Sequence, residues 1–185
     1  MMGRASSSDA AEAMRASVSQ TIHHPIPPFC AEGARVLILG SFPSVKSRES
    51  GFFYGHPQNR FWRVLSQVFD DAVPATVTAR KDFLAAHRIA LWDVIASCRI
   101  EGSADSSIRD VVPNDVASLL EASHIEAVFT NGKTAQNLYD KYLKSTLGMT
   151  AVCLPSTSPA NAAWSMEKLV EAWRAIAITQ GETEA

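Results

Sequence analysis

Arg35-Val-Leu-Ile-Leu-Gly40 decides the fold. The apolar run is short, uninterrupted and closed by a glycine. A strand of that kind is buried on both faces, as strands of parallel sheets are. Similar runs recur downstream: Ile89–Ile95 reads as a second strand, Ile125–Thr130 as a third and Ala151–Pro155 as a fourth. Between them lie stretches with helical spacing. Asn59–Phe69 carries Phe61, Trp62, Leu65, Val68 and Phe69, and Thr78–His87 turns Phe83 and Leu84 inward. Asn114–Ser123 and Gly132–Leu143 read as further helices. Trp164–Ile178 closes the chain, with Leu169, Trp173, Ile176 and Ala177 on one side. Strands alternating with helices predict an α/β fold: a three-layer α/β/α sandwich with a mainly parallel sheet of about four strands. In such sheets the ligand lies beyond the carboxyl ends of the strands. The chemistry is therefore expected in the loops after Leu39, Val94, Phe129 and Leu154.

Outward from this core, 185 residues suit one domain, placed here at residues 31–180 behind an N-terminal segment of residues 1–30. Met1–Gln20 is rich in Ser and Ala and is expected to be loosely helical or disordered, and the prolines of His24–Phe29 predict an extended connector. A hydrophobic fraction of 46% supplies a core. The net charge of −2 and pI of about 6.2 exclude a protein held on a polyanion by bulk charge. Basic groups would have to gather on one face, and Lys46, Arg48, Arg60 and Arg63, against Glu49 alone, are the best candidates. Cys30, Cys98 and Cys153 are dispersed, which argues against disulfides, zinc and iron–sulfur clusters. No metal or other cofactor is expected. The N-terminus lacks the apolar core and cleavage site of a signal peptide, and no apolar run is long enough to span a membrane. A cytoplasmic monomer without membrane partners is the expectation.

Three stretches stand out. Gly40-Ser-Phe-Pro-Ser44 follows the first strand, where glycine permits close approach to the backbone and the amides of Ser41 and Phe42 can donate to a carbonyl or anion. Gly51-Phe-Phe-Tyr-Gly-His-Pro-Gln-Asn-Arg-Phe-Trp62 places three aromatics in a loop, followed by His56 and Asn59. These aromatics either cover a core edge or stack on a flat ligand. His56 and Asn59 are either helix-capping groups or site residues. Leu154-Pro-Ser-Thr-Ser-Pro-Ala-Asn161 is a rigid polar loop that can contact phosphates, or a plain connection with Asn161 capping the last helix.

Together, in this order, the three stretches resemble the uracil-DNA glycosylase superfamily, over roughly Arg35 to Ile178. The middle stretch is similar to that of the mismatch-specific uracil glycosylases. The outer two look most like the hypoxanthine-DNA (deoxyinosine) glycosylase branch. Other branches place an Asp or Asn at the third position of the first stretch to handle the attacking water; Phe42 stands there. Many begin the last stretch with His, where Ser156 stands. The hypoxanthine branch assigns the catalytic role to the Asn of the middle stretch, which is Asn59.

The resemblance implies a monofunctional enzyme of base excision repair that hydrolyses the N-glycosidic bond of a deaminated base in DNA, hypoxanthine first. The alternatives are uracil as substrate, or an inactive module that binds damaged DNA. Breaking this bond makes the sugar cationic and the base anionic, so a flipped nucleotide, a placed water and donors to the base are needed. The expected catalytic residues are Asn59, its carbonyl oxygen orienting water, and Ser156. Ser41, Phe42, Tyr54 and His56 are expected to hold the base. Lys46, Arg60, Ser158, Pro159, Ala160 and Asn161 are expected to hold DNA, with the last loop pressing into the minor groove.

Overall fold

The computed structural model describes residues 21–100 and 107–181. Its centre is the expected parallel sheet: β2 (Val36–Gly40), β3 (Ile89–Asp93), β6 (Ala127–Asn131) and β7 (Val152–Leu154), in the order β3-β2-β6-β7. Residues Val36 to Leu39 are wholly buried. Successive side chains of a strand point to opposite faces. Val36 and Ile38 accordingly join one core with Phe61, Leu65 and Trp173, while Leu37 and Leu39 join another with Val128 and Tyr139.

These two cores make the three layers. On the first face lie α2 (Phe61–Val68), α3 (Val77–Ala86), α7 (Met166–Trp173) and α8 (Ala175–Thr179). On the second lie α4 (Val116–Glu121) and α5 (Lys133–Tyr142). The short α6 (Lys144–Leu147) follows α5, and the expected closing helix is divided between α7 and α8.

One strand reading needs correction. Ile89–Ile95 is not continuous: β3 ends at Asp93, and β4 (Ile95–Arg99) enters a second, antiparallel sheet with β1 (Thr21–His23) and β5 (Arg109–Pro113). The bend is held from both sides. The Val94 and Ile95 amides donate to the carbonyls of Gly40 and Ser41, at 2.9 and 3.2 Å. The buried Asn114 amide donates to the carbonyls of Asp93 and Ile95, at 2.8 and 3.1 Å. Leu91, Val94 and Ile95 are apolar and wholly buried across the bend, so hydrophobic periodicity does not mark it. Asn114 thus brackets the turn, and Asp115 caps α4 by accepting from the Ser118 amide at 3.1 Å.

Residues 21–30, placed above with the N-terminal segment, are built into the body. β1 pairs with β4, Ile26 is buried, and Phe29 bridges to Leu91. Residues 1–20, expected to be loosely helical or disordered, lie outside the described residues. Among the described residues no helix is long and apolar enough to cross a membrane, and no three His, Cys, Asp or Glu side chains are grouped as metal ligands would be.

Candidate active site

The carboxyl ends of β2, β3 and β6 open into a cavity of about 540 Å³, a size ordinary for a ligand site. Three of the four expected loops meet there with the 51–62 stretch. Ser41, Phe42, Lys46, Tyr54, His56, Asn59, Ser156, Ser158, Pro159 and Ala160 all line it, so most of the expected site residues are brought together. Asn59 and Ser156 share this one mouth.

Asn59 sits just before α2 and lines the cavity. Its Oδ1 accepts from the Phe61 amide at 3.0 Å, as a helix-capping side chain does, and from the Thr157 hydroxyl at 2.9 Å. Thr157 is fully buried, accepts in turn from the Asn131 amide at 2.9 Å, and donates its own backbone N–H to Asn131 Oδ1 at 3.0 Å. A backbone N–H can only donate, so the orientation of the Asn59 amide is fixed. Its carbonyl oxygen, expected above to orient water, is already committed twice. The Nδ2 group is the one left without a hydrogen-bond partner among the described residues, on a side chain that lines the cavity.

The last loop is rigid because Arg60 grips it. Arg60 donates to the carbonyls of Ser158 and Asn161, at 3.0 and 2.9 Å, and to that of Trp164 at 2.5 Å. Its backbone N–H holds the Thr157 carbonyl at 3.0 Å. Arg60, expected on DNA, therefore has its guanidinium directed into the protein. Asn161 ties the loop to itself, donating to the Ser156 carbonyl at 2.9 Å. Ser156 Oγ accepts from the Ser158 amide at 3.2 Å, and Pro159 and Ala160 form an exposed tip. The other basic groups are partly engaged. Lys46 pairs with Glu49 at 2.7 Å, and Arg48 lies over the Phe42 ring while donating to the Pro43 carbonyl at 2.9 Å. Lys46 lies in α1 (Val45–Ser50), a helix the sequence reading did not anticipate, capped by the Ser44 hydroxyl.

Tyr54 is held in the left-handed region, at φ 52°, which costs a non-glycine residue of order 1–3 kcal/mol. One face of its ring is stacked on Phe61, with centroids 3.8 Å apart. Its hydroxyl is buried and has no hydrogen-bond partner of good geometry among the described residues. Burial, reinforced by the Asp93 carboxylate, raises the phenol well above its ordinary range; the Asn131 side chain opposes this weakly.

Sequence reasoning missed Asp93, Asn131 and His24. Asp93 and Asn131 stand at the ends of β3 and β6 and line the cavity. Asp93 is buried, and its Oδ2 is 2.8 Å from His24 Nε2. The available signal was a lone acid inside an otherwise apolar run, Ile89-Ala-Leu-Trp-Asp-Val-Ile95. Reading that run as one strand concealed that Asp93 is a strand end.

A cavity at the strand ends, lined by these three stretches, agrees with what known proteins show. A family model described as the uracil DNA glycosylase superfamily matches residues 27–177. The chain belongs to the uracil DNA glycosylase superfamily. It is 34% identical over 152 residues to a protein of Methanosarcina acetivorans named hypoxanthine DNA glycosylase, covering 81% of this chain and 94% of that one. A protein of the same name from Methanosarcina barkeri is 34% identical over 137 residues, covering 73% and 85%. An NMR structure of a candidate uracil DNA glycosylase from Methanosarcina acetivorans superposes with a TM-score of 0.71 at 30% identity, covering 85% of this chain and 99% of that one. As a member of the superfamily, the chain keeps the three-layer scaffold and sets Phe42 at the position where the resemblance gives other branches an Asp or Asn. Phe42 is buried against His24, with ring centroids 5.8 Å apart.

Proposed function

We propose that the chain is a monofunctional DNA glycosylase that hydrolyses the N-glycosidic bond of hypoxanthine in DNA, the first step of base excision repair. The observation that carries this is the cavity, in which the three stretches on which the family resemblance rests converge beside Asn59. The two Methanosarcina relatives named hypoxanthine DNA glycosylase support the choice of base.

Asn59 is the catalytic residue in this reading, through Nδ2. Two donors hold its oxygen, so the amide is preorganised and loses no orientational freedom as the reaction proceeds. Its N–H groups suit an acceptor on the departing purine, where negative charge develops as the bond breaks. Ser156, with Oγ oriented by the Ser158 amide, adds a second polar group at the same mouth. A flipped base enters between Phe42 and Tyr54, and the exposed Pro159–Ala160 tip suits the gap left in the duplex. Direct hydrolysis is favoured over a Schiff base, because the lysine that lines the cavity, Lys46, is more than half exposed and beside a carboxylate, not desolvated as an activated amine is.

Oligonucleotides carrying one hypoxanthine, uracil or xanthine, incubated with the full chain and then cleaved with alkali, test this. Strand cleavage should be fastest at hypoxanthine and should require the alkali. Faster excision of uracil would keep the reaction and change the base. Binding without turnover on any of the three would make the chain a damage-binding module.

A further inference from the structure

The second sheet forms one side of the cavity. β4 runs along the wall, from beside Asp93 at the floor to Ile100, and both of these residues line the cavity. β4 continues from β3, at one edge of the parallel sheet, whereas the last loop follows β7, at the other edge. The mouth therefore spans from the far end of β4 to the last loop. The Pro159–Ala160 tip on the one side carries no charge. The end of β4 on the other side does.

Arg99 is exposed and directly precedes Ile100, and the strand register sets Arg109 of β5 opposite it. Residues opposite each other in an antiparallel pair project from one face, and like charges so placed repel. A bulge creates this arrangement. Between the pairs Ser97–Val112 and Arg99–Arg109 the register advances two residues on β4 and three on β5. Without the extra residue, Asp110 would stand opposite Arg99, an attractive pair. The bulge instead holds Asp110 in the left-handed region, at φ 50°, with its carboxylate 3.4 Å from Arg99 Nε. This ion pair is open to water, its side chains 51% and 68% exposed, so it offsets the repulsion only weakly. Arg109 is exposed and has no ion-pair partner among the described residues. Thr21 of β1, opposite Arg99 on its other side, is exposed as well. Two guanidiniums and a hydroxyl thus stand in one row beside the mouth.

Bulges are frequent next to active sites because they re-aim side chains. This one brings two arginines together in a chain whose net charge is −2. We propose that Arg99 and Arg109 jointly bind one phosphodiester of the DNA, close to the damaged nucleotide and across the mouth from the last loop. A phosphodiester carries one negative charge on two free oxygens, and guanidinium groups donate to such oxygens in charge-assisted hydrogen bonds. Bound there, it turns the repelling pair into a matched one and displaces Asp110 from Arg99. The proposal takes its partner, DNA, from the glycosylase reading, and adds to that reading a place where the backbone is held.

The test measures binding of the full chain to a DNA duplex that carries tetrahydrofuran, an abasic analogue that cannot be excised, at several salt concentrations. The double variant, Arg99→Gln with Arg109→Gln, should lower affinity at low salt by about tenfold, the lower end for hydrogen bonds to a charged group. The salt dependence should become shallower by about one unit of slope, for one phosphate released. The melting temperature should hold or rise, because a repulsion has been removed; a purely structural role for the Arg99–Asp110 pair predicts a fall. Asp110→Asn removes the internal competitor and should raise affinity about two- to threefold at low salt. Uncharged methylphosphonates, placed one at a time at the linkages flanking the analogue, locate the contact. At one linkage the substitution should cost the unaltered chain about tenfold and the double variant almost nothing. If the double variant does not fold, Arg109→Gln alone leaves the Arg99–Asp110 pair intact and should lose about threefold, with the same linkage blunted. An unchanged salt slope in these variants, or methylphosphonate penalties equal to those of the unaltered chain at every linkage, would overturn the proposal. A chain that binds as expected but excises no base defeats the glycosylase reading and leaves the phosphate site standing. One that binds no DNA defeats both.

Discussion

The cavity has two kinds of wall, and they differ in what their polar groups do. In the last loop nearly every polar group is satisfied within the protein. Arg60 holds the carbonyls of Ser158, Asn161 and Trp164, Asn161 holds that of Ser156, and Thr157 is locked between Asn131 and Asn59. Deeper in the cavity, the buried Tyr54 hydroxyl has no hydrogen-bond partner of good geometry among the described residues, and Asn59 Nδ2 has none either. Unmatched buried polar groups cost stability, and natural proteins contain few of them. Both of these side chains line one cavity, where a bound ligand can supply the missing partner. The loop is scaffold, and the proposed contacts to the base fall to the other wall.

The largest break in this contrast should come from the smallest residue. Gly40→Ala pushes a methyl group to 2.2 Å from Asp93 Oδ1, closer than non-bonded atoms approach. Asp93 must move, and with it the floor. A displacement of about 1 Å at a reacting site can cost about a hundredfold, so excision should fall by that much or more. Near-normal single-turnover rates in this variant would mean that the floor takes no part.

How much of this was legible in the sequence follows the same division. The parallel sheet was legible because Val36–Leu39 is apolar on both faces, and the loops because proline, glycine and hydroxyl residues cluster after strand ends. The second sheet was not legible, and Asp93 was marked only as a lone acid in an apolar run. The bend at Val94 rests on hydrogen bonds to Gly40, Ser41 and Asn114, which are distant in sequence or carried by the backbone. His24 looked like part of a proline-rich connector, because its partner lies 69 residues away. Asn59 was found, but its orientation was not: only Thr157 and the Phe61 amide show which end of the amide is free.

Asn59 gives the next largest effect and separates two uses of one amide. Asn59→Ala should slow the chemical step by about a hundredfold, the scale of one lost preorganised donor. It should also cost about 1 kcal/mol of stability through the lost cap. Asn59→Asp is sharper. One carboxylate oxygen can accept from Phe61 and Thr157 as before, so melting temperature should hold, but the other replaces a donor by an acceptor. Excision should then stay close to that of the Ala variant. Substantial activity in the Asp variant would return the role to an oxygen that orients water.

Arg60 tests the scaffold side. Arg60→Leu removes the grip on three carbonyls and should lower stability by about 2 kcal/mol or more, since hydrogen bonds to charged groups are each worth about 1.5–3 kcal/mol. Activity should fall by about tenfold as the loop loosens, a smaller loss than at Gly40 or Asn59. A phosphate contact predicts something else: an unchanged melting temperature and a salt dependence of DNA binding shallower by about one unit of slope. Thermal melts together with binding at several salt concentrations separate the two.

The smallest effect belongs to Lys46, at the rim, where the two kinds of wall meet solvent. Its pair with Glu49 is exposed on both sides, at 58% and 57%, so it adds little to stability, well under about 1 kcal/mol. What the pair does is compete with DNA for the ammonium group. Glu49→Gln removes the competitor and one negative charge from the rim, and should raise DNA affinity by about two- to fivefold at low salt, with the gain fading as salt rises. Lys46→Ala should lower affinity by a similar factor and make the salt dependence shallower by about one unit of slope. Neither should alter the single-turnover rate at saturating enzyme, because neither group reaches the floor or Asn59. A rate loss in Lys46→Ala at saturation, with binding unchanged, would move Lys46 from the rim into the chemistry and reopen the choice between direct hydrolysis and a Schiff base.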